Sequence, residues 1–100
     1  MRRVARIIRE ASIELTEAVL WYEGQRAELG ADFLEAVSAS LQALAADPEL
    51  GATLVSGRPE RRFLVSRFPY QIVYRPMASE LVILAVAHRR RRPGYWRGRR

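Results

Sequence analysis

Apolar residues recur along this chain with two different periods, and the change between them divides it. Residues 4–9, Val4-Ala5-Arg6-Ile7-Ile8-Arg9, read as a short first strand. From Ala11 the spacing becomes helical. Ala11, Leu15, Ala18, Val19 and Tyr22 fall at offsets 0, 4, 7, 8 and 11, while Glu10, Glu14, Glu17 and Glu23 mark a solvated face. Gly30 breaks that pattern, and Asp32 caps or supports a second helix whose apolar stripe is Phe33, Val37, Leu41 and Leu44. Asp47-Pro48 ends it, because a residue before proline is pushed away from helical angles. Two amphipathic helices with so short a link form an antiparallel hairpin.

The period then becomes that of strands. Residues 50–59 are a loop punctuated by Gly and Pro, with room for a short strand at 53–56. Residues 62–68 and 70–75 read as strands joined by a tight turn at Phe68-Pro69, residues 76–79 as a second turn, and residues 80–87 as the last strand. Leu81 to Ala87 is apolar without alternation, which predicts a central strand covered on both faces. The order β-α-α-β-β-β, with a further β if 53–56 pairs, is that of an α+β domain with a helical hairpin packed on a mostly antiparallel sheet. At 100 residues there is room for one domain, 1–100, whose residues 89–100 make a basic C-terminal tail.

Charge sharpens this picture because it is polarised. Residues 61–100 hold eleven arginines against one acid, Glu80, a net of +10; residues 1–60 hold six arginines against ten acids, a net of −4. All seventeen basic residues are arginine, so every cation is a planar fork suited to phosphate or carboxylate, and none is an amine base. A sheet with one strongly positive region is a surface for anions. With no cysteine and one histidine, disulfides, thiolate sites and histidine clusters are excluded, and no cofactor or metal is expected. The longest apolar run, 81–87, falls far short of the ~20 residues of a membrane-spanning helix. The charged start develops no apolar region of the kind a signal peptide needs, so the cytoplasm is the expected address.

Several elements together resemble a known family. They are Trp21-Tyr22-Glu23, Leu29-Gly30-Ala31-Asp32-Phe33, the strand carrying Arg62, Phe68-Pro69-Tyr70-x-Ile72-x-Tyr74, and Ala85-Val86-Ala87-His88-x-x-Arg91-x-Pro93-x-Tyr95-Trp96-x-x-Arg99. In this order, over nearly the whole chain, they resemble the RelE/ParE superfamily, the toxin halves of bacterial type II toxin–antitoxin pairs. The resemblance implies a basic toxin neutralised by a cognate acidic antitoxin in a hetero-oligomer. It also implies one of two activities: RelE-like members cut messenger RNA on the ribosome, whereas ParE-like members bind DNA gyrase and trap it on DNA. RelE-type nucleases place an arginine where this chain has Gln71 and lysines on the strand that here carries Arg62 and Arg67. The ParE-like reading, a gyrase inhibitor that is not itself a hydrolase, therefore leads.

Under the nuclease alternative, metal-independent RNA cleavage needs a base, an acid and cations for the phosphorane. His88 and Tyr95 are the candidate proton-transfer groups, and Arg62, Arg67, Arg90 and Arg91 the candidate cations. The competing reading makes His88 a hydrogen-bonded strand-end residue and packs Tyr95 and Trp96 back on the core. For antitoxin or target binding the candidates are Arg62, Arg67, Arg75, Arg89, Arg90, Arg91, Arg92 and Trp96. The run Arg89–Arg92 is too dense to be paired within the domain, which leaves either a solvated tail or a site with nucleic-acid affinity; the third function class is accordingly a basic nucleic-acid-binding module. Trp21 lies beside the helical stripe and suits a protein contact.

Overall fold

The computed structural model describes residues 2–100. Its elements are β1 (Val4–Ile7), α1 (Arg9–Gln25), α2 (Leu29–Ala46), β2 (Ala52–Thr53), β3 (Arg61–Leu64), β4 (Tyr70–Pro76) and β5 (Glu80–His88). The five strands form one open sheet in the order β1-β5-β4-β3-β2, in which only the β1–β5 pair is parallel. The two helices pack on it, so the α+β architecture is the one the sequence predicts. Each residue from Leu81 to Ala87 is at most 3% exposed. Because alternate strand residues point to opposite faces, burial of all seven means that both faces of β5 are covered.

The boundaries differ from expectation in ways that have local causes. The first strand stops at Ile7 rather than Arg9, because Ile8 (φ −69°, ψ 162°) is the residue at which extended backbone turns into α1, its side chain buried beneath the helix. The strand expected at 53–56 is only the two-residue β2, paired to β3 at Ala52–Arg62 and Thr53–Arg61. β3 ends at Leu64, not at Phe68. A loop then carries Arg67 at φ 71°, and closes with the Val65 N–H donating to the Tyr70 carbonyl. Phe68 points inward, its ring 5.0 Å from Tyr22 and 5.1 Å from Phe33, which with Tyr70 make the aromatic part of the core. Trp21, by contrast, is exposed.

The helical hairpin breaks earlier than Gly30. The chain turns at Arg26–Glu28, with Glu28 at φ 73°, and Gly30 already lies in the first turn of α2. A helix start leaves its first N–H groups without partners. Here Glu23, expected on the solvated face, supplies them: its carboxylate accepts from the Glu28 N–H and the Gly30 N–H, both at 3.0 Å. A carboxylate at that end also complements the helix dipole. Asp32 makes no cap bond; it pairs with Arg26 at 4.0 Å. The glycine is there for approach: a Cβ on Gly30 would sit 2.6 Å from the Val19 carbonyl oxygen and 3.0 Å from the Glu23 Cβ.

The sheet carries one irregularity, between Val73 and Tyr74. Val73 faces Ala85 but Tyr74 faces Ile83, so Leu84 has no partner on β4. β1 stops opposite Ile83, and the rest of β5 has no strand on that side. Tyr74 in turn fixes the chain after α2. Its hydroxyl donates to the Pro48 carbonyl at 2.6 Å and accepts from the Gly51 N–H at 3.0 Å.

Two glycine substitutions separate close approach from chain entropy. Gly30→Ala meets fixed backbone and is expected to destabilise by about 1–3 kcal/mol. Gly24→Ala, in α1 with nothing within 4 Å of its Cβ, is expected to stabilise by roughly 0.5–1 kcal/mol. Urea unfolding of the two variants measures both.

Candidate functional site

After β5 the chain turns back on itself. The Arg89 N–H donates to the Pro69 carbonyl at 2.8 Å, Arg91 to His88 at 2.9 Å, Arg97 to Gly94 at 3.0 Å and Arg99 to Trp96 at 3.2 Å. The first extends the β4–β5 pairing and the others are turns; the Trp96–Arg99 turn carries Gly98 at φ 87°, and a further turn, Tyr95 N–H to the Arg92 carbonyl, carries Gly94 at φ 77°. The basic tail expected at 89–100 is therefore a folded segment over residues 89–99. Trp96 is buried in the core, and Tyr95 packs against it from the boundary.

What holds the tail down is Glu14 of α1, another residue expected on the solvated face. Its Oε1 accepts from the Val86 N–H at 3.1 Å and from Arg99 Nη1 at 3.0 Å; its Oε2 accepts from the Tyr95 hydroxyl at 2.8 Å and from Arg99 Nη2 at 3.1 Å. Arg99 Nη1 also donates to the Leu84 carbonyl at 3.0 Å. The pair thus caps the stretch of β5 that β1 leaves open, where unpaired backbone groups would otherwise be costly. Glu14 stands three residues after Ala11 and four before Ala18, inside the helical stripe, and that spacing is the sequence signal for its burial.

Burial raises the pKa of the Tyr95 hydroxyl well above the ordinary tyrosine value, and its bond to Glu14 and that carboxylate's charge raise it further. Burial works against the charge on Arg99, but the Glu14 bonds and charge outweigh it and leave its pKa raised. Burial likewise raises Tyr22, Tyr70 and Tyr74.

The folded tail builds a cleft of about 420 Å³ with β3, β4 and the β2 loop. Arg62, Arg89, Arg91, Arg92 and Arg97 line it, together with Gln71, and no carboxylate is in its wall. Arg62 and Gln71 alternate with Phe63 and Tyr70, which face the helices, so the cleft lies on the sheet face away from the hairpin. The Arg91 guanidinium stacks 4.0 Å from the centre of the Tyr95 ring, with Arg99 at 4.9 Å.

Of the residues singled out in the sequence, Arg62, Arg89, Arg91, Arg92, Tyr95 and Trp96 meet at this cleft. Arg97, Gln71 and the β2-loop wall join them and were not among the candidates. Arg90 is exposed outside it, and its N–H donates to His88 Nδ1 at 3.0 Å. His88 sits against Tyr70 (ring centres 5.3 Å apart) and faces a second, smaller cavity with Glu17 and Trp21 on the helical side. Arg67 lies in the β3–β4 turn beside a groove along α2. Arg75 is held within the fold: it donates to Glu60 at 3.1 Å, and that carboxyl, 7% exposed, also pairs with Arg58 at 3.7 Å.

Removing Glu14 leaves Arg99 buried without its counter-charge, which costs about 3–5 kcal/mol in comparable pairs. Glu14→Ala is therefore expected to lower thermal stability sharply and to open the tail to trypsin at Arg89–Arg92; intact tails under limited digestion would refute the anchor. A tyrosine whose pKa is raised in the folded state stabilises fully below its unfolded value of 10.0 and loses that contribution as pH rises above it. Stability is accordingly expected to fall above about pH 10, less steeply in Tyr95→Phe, as urea midpoints against pH would record.

Residues 6–93 match the profile of the family described as ParE toxin of type II toxin-antitoxin system, parDE. Among solved structures, a chain titled "Chromosomal ParDE TA system from P. aeruginosa" superposes with a TM-score of 0.74 at 17% identity, covering 87% of this chain and 96% of that one. At that identity the likeness is one of fold. A search of curated proteins finds no match.

Proposed function

The chain belongs to the ParE toxin family of type II toxin–antitoxin systems, and on that footing we propose that it inhibits DNA gyrase in the cytoplasm and is neutralised by a cognate acidic antitoxin in a toxin–antitoxin hetero-oligomer. The observation that carries this reading is a cleft that gathers cations without a proton-transfer partner. Hydrolysis of a phosphodiester needs a base and an acid beside the cations. The Tyr95 hydroxyl is bound to Glu14, with its pKa raised. His88 opens on the helical side of the sheet, away from Arg62, Arg89, Arg92 and Arg97, in a cavity it shares with Arg91, Glu14 and Glu17. Gln71 stands in the cleft where the nuclease branch would carry an arginine. Such a surface grips anionic partners and does not turn them over.

No helix among the described residues is long and apolar enough to cross a membrane. An acidic, flexible antitoxin that folds on binding complements both the arginine cleft and the groove at Arg67.

The purified toxin is expected to block supercoiling by gyrase and to leave cleaved plasmid after induction, with translated messages intact. Codon-phased RNA 5′ ends and intact plasmid would replace this reading with a ribosome-dependent endoribonuclease. For the antitoxin, Arg62→Glu and Arg67→Glu are each expected to weaken binding about tenfold. Calorimetry showing unchanged affinity would remove that position from the interface.

A further inference from the structure

We propose that the arginine cleft is a binding site for a small polyphosphate anion of nucleotide size. Its five guanidiniums share one concavity that has no carboxylate in its wall. The carboxylates that do pair are engaged elsewhere: Glu14 with Arg99, Glu60 with Arg58 and Arg75, Glu80 with Arg6 at 3.2 Å, and Asp32 with Arg26. Like charges brought together without a counter-charge repel, and an anion in the cleft removes that penalty.

The cleft is also built and not merely charged. Arg91 is fixed by its stack on Tyr95, and Tyr95 is fixed by Glu14. Arg62 rises from a paired strand, and Arg97 from a turn closed by its own N–H on Gly94. Guanidinium forks on such supports pair bidentately with phosphate oxygens. Leu54, Val55 and Pro93 give the cleft an apolar side against which a base or sugar can rest, and the Gln71 amide adds a donor and an acceptor. A volume of about 420 Å³ matches the ~300–1,000 Å³ of small-ligand sites. The assignment does not rest on gyrase inhibition, since phosphate binding and gyrase inhibition are measured separately.

The test is calorimetry on the full chain with three probes: inorganic pyrophosphate, ATP and a short oligothymidylate. Saturable one-to-one binding of pyrophosphate and ATP is expected, weaker at higher salt. Arg62→Ala and Arg92→Ala are each expected to lower affinity about tenfold, as loss of one charge-assisted pair implies. Arg62→Lys keeps the charge but not the fork, and falls between. Arg9→Ala removes the same charge outside the cleft and is expected to bind as the parent does. Because all these positions are exposed, melting curves separate lost binding from lost fold. Absence of pyrophosphate binding, or an equal loss in Arg9→Ala, overturns the proposal. The oligonucleotide arm identifies the source of the phosphate: an affinity no higher than that of ATP points to a free nucleotide, a much higher one to a single strand.

Discussion

A largely covered carboxylate, 12% exposed, ties the C-terminal segment to the first helix. Glu14 of α1 bonds at once to the Val86 N–H of β5, to the Tyr95 hydroxyl and to Arg99. Without it the Val86 N–H and the Tyr95 hydroxyl lose their protein partner, and Arg99 keeps only the Leu84 carbonyl. The Leu84 carbonyl and Val86 N–H face the gap left where β1 stops, and the Glu14–Arg99 pair closes that gap as a further strand would. Burial of the pair is tolerable because every charge in it has a hydrogen-bonded partner, the condition under which such pairs survive in a low-dielectric interior. The tail, the cleft and the cover over Trp96 all follow from this contact.

The second organising fact is the segregation of charge. Several acids of the first sixty residues are committed within the fold, as a cap at Glu23, an anchor at Glu14 and a buried partner for two arginines at Glu60. Five of the eleven arginines of the last forty residues, Arg62, Arg89, Arg91, Arg92 and Arg97, share the cleft on one sheet face. A net charge of +6 understates the field there, because the uncompensated part of it is gathered at one cleft.

Much of the fold was legible in the residues. The helical stripes, the unbroken apolar run of β5 and the Asp47-Pro48 stop each follow from local chemistry, and so does the α+β order. The misread positions were those where a side chain serves a distant element. Glu14 and Glu23 look solvated when a helix is read alone, and become anchor and cap only once a tail and a second helix arrive. Gly30 reads as a breaker by propensity, but tertiary approach to Val19 decides its place. The candidate site was legible in part. A run of arginines announces an anion surface, but which of them share a cleft depends on a folded tail that no periodicity predicts. Arg97 and Gln71 joined Arg62 there, while Arg75 turned inward to Glu60.

The reach of that anchor along the chain has a consequence for how the protein comes into being. Glu14 and Arg99 are 85 residues apart, and the parallel pairing of β1 with β5 already spans more than seventy. Contacts of such sequence separation close late, after the loop between them has been ordered. During synthesis the N-terminal strand and hairpin emerge first and wait for their partners, and the cleft acquires its second wall only once residues 89–99 have emerged and folded. The anion surface is thus the last part of this fold to take shape.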